Sequence, residues 1–258
     1  MIVAVATQKG GSAKTTTVVN LAAALAERGH TTLAVDLDGQ GHATHWLLGP
    51  AARQNGPFVQ DWLEGRADPA DVVRSSGWPG LDLVPANLAL NRLRDRLEGA
   101  RRASEARLLA SRLRGLSERY AWVLIDCPAG LNGLTVNALA AADRLLVPVA
   151  PPDPLAVDGT HHVLVTLERI ARDTNSRLSL LGVLVANAQL RRASERRQVE
   201  QLRADRLPVF ATQIPASARV GAAAEAHETI LAYAPNSGPA IAYRALAEEV
   251  EKAARRSR

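Results

Sequence analysis

Three lysines occur in this chain, Lys9, Lys14 and Lys252, while every other residue of the Lys/Arg class is arginine. Two of the three fall in one six-residue window, Lys9-Gly10-Gly11-Ser12-Ala13-Lys14, which runs on into Thr15 and Thr16. In a chain that otherwise uses arginine, this clustering points to a chemical demand for lysine. Phosphate binding makes that demand. The backbone N–H groups of a Gly-rich loop and the N-terminus of the next helix surround phosphates. Lys14 pairs with the β- and γ-phosphates, and the Thr15 hydroxyl binds Mg²⁺. Gly10, Gly11, Ser12, Ala13 and Thr16 complete such a loop. The usual spacing, G-x-x-x-x-G-K-[ST], is not met in full, because Gln8 and Ala13 stand at the two glycine positions.

Carboxylates at strand ends supply the rest of the chemistry. Asp36 and Asp38 close one apolar run and Asp126 closes another, where open α/β sheets bind ligands. Asp36 and Asp38 alternate, so on a continuing strand they face opposite ways: one toward the metal or its waters, the other toward the attacking water. Asp126 matches the acidic strand end that holds Mg²⁺ through water. A Gly-rich surface turn and a solvated Asp-Gly turn are the plain alternatives, and they lose ground when the two features stand side by side.

These residues need a strand, a loop and a helix to carry them. Val3 to Ala6 reads as a short buried strand. Lys14-Thr15-Thr16 opens an apolar-periodic helix whose core stretch is Val18 to Leu25. Further strands are predicted at Thr31 to Val35, Leu81 to Ala86, Trp122 to Asp126, Arg144 to Val149, Leu178 to Ala186 and, as the last, Val209 to Ile214. Between Pro50 and Pro79 the chain reads as irregular surface structure with short helical pieces at Phe58–Glu64 and Pro69–Arg74. Arg-rich helical stretches follow at Leu88–Leu97 and Ser104–Arg119. Arg101, Arg102, Arg107, Arg112 and Arg114 lie there, either on a solvated face laced with salt bridges or against DNA. Tyr243, Leu246, Ala247 and Val250 have the spacing of a core-facing helix. Strands alternating with helices predict an α/β fold, a doubly wound and mostly parallel sheet covered on both faces, with 1–258 as one domain.

The totals exclude several classes. With 258 residues, 47% apolar, the chain can bury a sizeable core. No apolar run approaches ~18 residues, so no membrane span is expected, and no secretion signal is visible. One cysteine, Cys127, leaves no disulfide framework and no Cys-rich metal or cluster site, and makes the cytoplasm the default. His161 and His162 have no third metal ligand at sensible spacing. The formal net charge of +5 is a modest excess that favours an anionic partner such as nucleic acid.

The window Lys9 to Thr16 resembles K-G-G-x-G-K-T-T, the deviant Walker A loop of the ParA/MinD group of P-loop ATPases. Asp36-Leu37-Asp38-Gly39-Gln40-Gly41 with Ala43-Thr44 is similar to that group's D-x-D-P-Q-G-N-A-T, with Gly39 in place of proline. Asp126-Cys127-Pro128 and Leu134 to Leu139 resemble D-C-P-P-S-L…L-T-x-N-A-L. The closing segments from Ile230 and from Ala242 match P-I-x-x-Y-x-P-x-S…A-Y-x-x-L-A-x-E. The resemblance runs from about residue 1 to 250. It implies ATP and Mg²⁺ as cofactors and a homodimer in the ATP state, with Lys9 crossing to the partner's nucleotide. Lys9, Lys14 and Asp38 become the catalytic set, with Asp38 orienting water. Thr15, Asp36 and Asp126 surround the metal. The family's loop from Pro215 packs near the base, and Asn187, at the end of its own strand, stands in a position suited to contact it.

The same resemblance implies non-specific double-stranded DNA and a ParB-type centromere-binding protein as partners, a nucleoid-associated place in the cytoplasm, and no membrane. Arg191, matching the family's R-T-N, joins Arg192 and Arg219 as the DNA contacts. Arginines clustered at a helix entry pair with phosphates without reading sequence. The leading reading is therefore an ATP-dependent DNA partitioning ATPase. Positioning of a protein cargo uses the same machinery. A nucleotide-gated DNA binder with weak hydrolysis is the third reading, motivated by the Ala13 methyl group near the phosphates. A MinD-like membrane regulator lacks its amphipathic C-terminal anchor, and a nitrogenase-reductase relative lacks its cluster cysteines. The segment from Pro151 to Gly159 departs from the family where the dimer face is expected.

Overall fold

The computed structural model of the protein describes residues 1–98, 103–151, 156–189 and 192–256. One seven-stranded sheet organises them, in the order β3-β4-β2-β5-β1-β6-β7. The strands are β1 (Ile2–Val5), β2 (Thr32–Asp36), β3 (Arg74–Ser75), β4 (Leu81–Val84), β5 (Trp122–Asp126), β6 (Arg144–Val149) and β7 (Ser179–Val185). All neighbours are parallel except the edge strand β3, which runs antiparallel to β4.

Alternation along these strands divides the apolar residues into two layers, as period-2 side-chain geometry requires of a sheet covered on both sides. Ala4, Leu33, Val35, Val123 and Ile125 face one cluster. Val3, Val5, Ala34, Trp122 and Leu124 face the other. Helix α1 (Lys14–Glu27) lies in the second layer. Its Val18, Val19 and Leu21 to Leu25 are fully buried because α13 (Gly238–Arg256) covers it, with Tyr243, Leu246, Ala247 and Val250 pointing inward as the spacing predicts. Arg28, just past α1, pairs with Glu248 and Glu251 of α13, and Arg244 pairs with Glu27.

Between these helices the chain adds α2 (His42–Leu48), α3 (Val59–Leu63), α4 (Pro69–Val72), α5 (Leu90–Glu98), α6 (Ala103–Ala106), α7 (Leu108–Leu113), α8 (Gly133–Ala141), α9 (Ala156–Asp173), α10 (Ala193–Ala204), α11 (Ala218–Glu225) and α12 (Ile230–Tyr233). The chain leaves β1 between β5 and β6. After β1 it builds toward β2 and β4, and after β5 toward β6 and β7. The loop after β1 therefore opens at the point where the connections diverge, the ligand crevice of open α/β sheets.

Three expectations need correction. The segment from Pro50 to Pro79 is not mere surface structure. Val59, Trp62, Leu63 and Val72 are buried to 1% exposure or less, because short helices turn their apolar sides under the sheet edge. Ser104–Arg119 is not one helix: it breaks at Arg107 and again at Gly115, whose φ of 76° is left-handed. Val209 to Ile214 is not a strand. It is bridged to β7 at Val183↔Val209 and to the chain just past β7 at Ala188↔Pro215. In between, the N–H groups of Ala211 and Thr212 donate to the Glu249 carboxylate at 2.7 and 3.0 Å, and the ladder is interrupted there.

Candidate functional site

The loop after β1 turns tightly back on itself. The Lys14 ammonium and the Ser12 hydroxyl both donate to the Lys9 carbonyl, at 3.3 and 3.2 Å. Lys14 is buried at 8% exposure, whereas Gln8 to Gly11 are exposed. Ala13 precedes the helix in the left-handed region, at φ 65° and ψ 28°, a place where glycine is at ease and alanine is strained. Its methyl group packs against the apolar layer that holds α1. Gly10 to Thr16 then line a cavity of about 620 Å³ at the C-terminal edge of the sheet.

The predicted carboxylates occupy three different settings. Asp36 and Asp126 are register partners on β2 and β5, and both are fully buried. Asp36 is fully engaged: one oxygen accepts from the Thr44 N–H and hydroxyl at 2.8 and 2.7 Å, the other from the Asp38 N–H at 3.1 Å. Burial, opposed by those bonds, pushes its carboxyl up to about 6. Asp126 is the opposite case, since neither of its oxygens has a hydrogen-bond partner. Burial first, and the Asp36 carboxylate next, hold its carboxyl well above the ordinary value. The Thr15 hydroxyl and the Lys14 ammonium work against them. Asp38 lies on the cavity wall, with its carboxylate accepting the Gln40 N–H at 2.9 Å.

A buried, unpartnered carboxylate beside a threonine hydroxyl and under a phosphate loop fits a hydrated Mg²⁺. Asp126 and Thr15 are the residues that would hold it, and Asp36 lies in the register position next to Asp126. Among the described residues no group of three or more His, Cys, Asp and Glu forms a metal cage. Magnesium commonly keeps several waters and takes its remaining ligands from substrate phosphates, so few protein ligands are needed.

The far wall of the cavity is made by Asn187, which takes a φ of 56°, together with Pro215, Val220 and Gly221. Tyr243 forms its floor, with a fully buried side chain.

A family model described as an AAA domain matches residues 1–180. The chain is 42% identical over 250 residues to the chromosome-partitioning ATPase Soj of Thermus thermophilus, across 96% of this chain and 94% of that one. It is 35% identical over 253 residues to the chromosome partitioning protein ParA of Caulobacter vibrioides, across 96% and 93% of the two chains. The chain belongs to the ParA/Soj family of partitioning ATPases. Its fold is also that of a Mycobacterium smegmatis structure titled cobyrinic acid a,c-diamide synthase, with bound ATP analogue and magnesium. That likeness has a TM-score of 0.84 at 34% identity and covers 100% of this chain and 96% of that one.

Set against the ParA/Soj pattern, the phosphate loop residues and Asp38 converge on one cavity, while Lys9 stands on its exposed side. Arg191, Arg101 and Arg102 lie outside the described residues. Arg192 is exposed at the start of α10, with its guanidinium 4.0 Å from the Glu195 carboxylate. Arg219 is exposed in the first turn of α11. It lines a shallow cleft with Tyr233 and the segment 234–237, and Tyr233 is 43% exposed. The bridge Ala188↔Pro215 joins the chain past β7 to the loop that leads into α11. Arg107 and Arg112 instead donate to the carbonyls of Thr174 and Leu63. His161 meets Asp205, and His162 meets Gln8. Cys127 is buried, and burial pushes its thiol far up, away from reactivity.

Sequence reasoning missed Thr44, which binds Asp36 twice and accepts the Ala86 N–H at 2.8 Å. The Thr that closes the D-x-D motif was its only signal. Tyr243 was read as a core residue alone. No pattern in the sequence marks the Glu249 clamp.

Proposed function

We propose that this protein is an ATP-dependent DNA partitioning ATPase that uses ATP with Mg²⁺. In this reading ATP joins two copies through Lys9, and the dimer holds duplex DNA through Arg192, Arg219 and Arg191. A ParB-type partner then stimulates hydrolysis and release. The observation that carries the catalytic part is the pairing of the Lys14 loop with the unpartnered, fully buried Asp126 carboxylate. A buried charge without a partner is costly to keep, and a cationic ligand removes that cost. Magnesium, when bound, neutralises charge on the β- and γ-phosphates.

The chain's own residues account for the remaining chemistry. Backbone N–H groups from Gly10 to Thr16 and the N-terminus of α1 cradle the phosphates. Lys14, now on the Lys9 carbonyl, exchanges that acceptor for phosphate oxygen. Asp38, held in its turn by the Gln40 N–H, orients the attacking water. Asn187 and Pro215 flank the base. The exposed guanidinium of Arg219 supports phosphate binding on the neighbouring surface.

The test is binding of the protein to a non-specific duplex with ATP, with ADP and without nucleotide, at two salt concentrations. Tight binding with ATP alone that weakens steeply with salt is expected, because arginine–phosphate contacts release counterions. Equal binding in all three nucleotide states, or none, refutes the DNA part of the reading.

The left-handed Ala13 favours a second reading on one point, a nucleotide-gated binder with little turnover. A rate that stays near zero with ATP, DNA and partner together would select it.

A further inference from the structure

The turn that carries Asp38 has an unusual neighbour. Gly39 is buried, and its backbone lies outside the left-handed region, so its conformation does not call for glycine. Space does. A Cβ at Gly39 would lie 2.5 Å from Asn91 Oδ1, 2.9 Å from its Cγ and 3.2 Å from its Nδ2. All three nearest atoms belong to Asn91, and each is at or inside the limit that real side chains tolerate. Glycine at this position is therefore what leaves room for the Asn91 side-chain amide beside the turn.

The turn is tied down on its other side. The Asp38 N–H donates to Asp36, the Gln40 N–H donates to the Asp38 carboxylate, and the Gly41 N–H donates to the Asp38 carbonyl at 2.8 Å. Asn91 stands against the remaining face. The backbone that carries it is firm, because its N–H donates to the Leu88 carbonyl and the nearby Leu90 and Leu93 are buried in the core. One turn before, the Asn87 carboxamide accepts the Ala89 N–H and the Gln60 side-chain amide. The Asn91 amide makes no hydrogen bond among the described residues. Its contact with the turn is thus one of shape: the amide fills the space beside the backbone one residue from Asp38.

We propose that Asn91 is a positioning residue for hydrolysis, matched to Gly39, which sets how far the Asp38 carboxylate reaches over the phosphate cavity. This rests on the reading of Asp38 as the residue that orients water. Misplacing such a group by a fraction of an ångström lowers turnover while leaving nucleotide contacts intact, because the phosphates are held by a different loop.

The experiment measures steady-state ATP hydrolysis by the full chain with DNA present. It also measures affinity for a fluorescent ATP analogue and the melting temperature, for the native protein, Asn91→Ala, Gly39→Ala and the double variant. Asn91→Ala is expected to lower kcat about tenfold, with KM and analogue affinity within about twofold and the melting temperature unchanged. Gly39→Ala is expected to lose at least as much. The double variant should recover to the level of Asn91→Ala, since the added methyl group then meets open space. That non-additive pattern marks a matched pair. A native rate in Asn91→Ala, or losses that simply multiply in the double variant, overturns the proposal and leaves the ATPase reading standing. Absence of hydrolysis in the native protein overturns both. Should Gly39→Ala fail to fold, the kcat-against-KM result for Asn91→Ala decides alone.

Discussion

The two walls of the nucleotide cavity are built in different ways. On the phosphate wall, β1, β2 and β5 are regular strands: Asp36 and Asp126 are register partners at the ends of β2 and β5, Asp38 follows two residues past β2, and Lys14 opens the helix after the β1 loop. On the base wall the chain leaves β7 through Asn187 at φ 56°. It then meets a segment, 209–215, that is bridged at one end to β7 and at the other to Ala188 just past it. The two buried carboxylates, Asp36 and Asp126, are thus placed by the paired ladder. The wall proposed to accept the base is held instead by the Glu249 side-chain clamp. If this is correct, substitutions on the first wall act on turnover and those on the second on affinity.

The largest effect is expected at Asp126. Asp126→Asn keeps the shape and removes the charge, so hydrolysis should fall by about two to three orders of magnitude. Without nucleotide and metal the same change should stabilise the fold, by about 1–2 kcal/mol, because an unpartnered buried carboxylate is replaced by a neutral group. Opposite signs in an activity assay and a thermal melt would separate this from simple damage. A destabilised Asp126→Asn protein would show that Lys14 and Thr15 already satisfy the carboxylate.

Next in size is Thr44→Val, which keeps the volume and deletes the hydroxyl. Two bonds go with it: the one donated to Asp36 and the one accepted from Ala86. A loss of about 2–4 kcal/mol is expected, since both partners are buried and cannot turn to water. Urea unfolding measures it, and a change below about 1 kcal/mol would mean that the Asp36 network has another support.

A smaller effect tests the other wall. Glu249 of α13 accepts the N–H groups of Ala211 and Thr212 with separate oxygens. Glu249→Gln turns one acceptor into a donor and releases one of them. KM for ATP should rise about threefold to tenfold with kcat nearly constant. A fall in kcat at constant KM would erase the distinction between the walls.

The same contrast explains what could be read in the chain. The phosphate wall is local: lysines and glycines a few residues apart, and apolar runs ending in aspartate. Its strands and α1 are therefore legible. The base wall depends on Glu249 reaching back to Ala211 across 38 residues, and no periodicity records that. Trp62 and Val59 escaped for a related reason. Their helix has five residues, too few for an amphipathic pattern, and its burial is decided by α5 and α7 arriving later in the chain. Arg107 and Arg112 looked like a charged face, yet each is spent on a distant carbonyl.

Ala13 is the one place on the phosphate wall where local preference and structure disagree, and so it gives the finest test. At φ 65° an L-residue with a Cβ is strained by about 1 kcal/mol, and Ala13→Gly relieves that strain. Part of the gain is lost, because glycine has more freedom in the unfolded chain and the methyl group no longer packs against the α1 layer. A net stabilisation of about 0.5 kcal/mol is expected by thermal melt, with ATP affinity or turnover raised about twofold to fivefold. Improvement in both would mean that the strain lies in the bound loop as well as the free one. A more stable protein with native affinity and rate would confine the strain to the fold. An unchanged protein in every assay would show that the neighbouring packing balances the strain in full, and would remove the physical basis for expecting weak turnover from this loop.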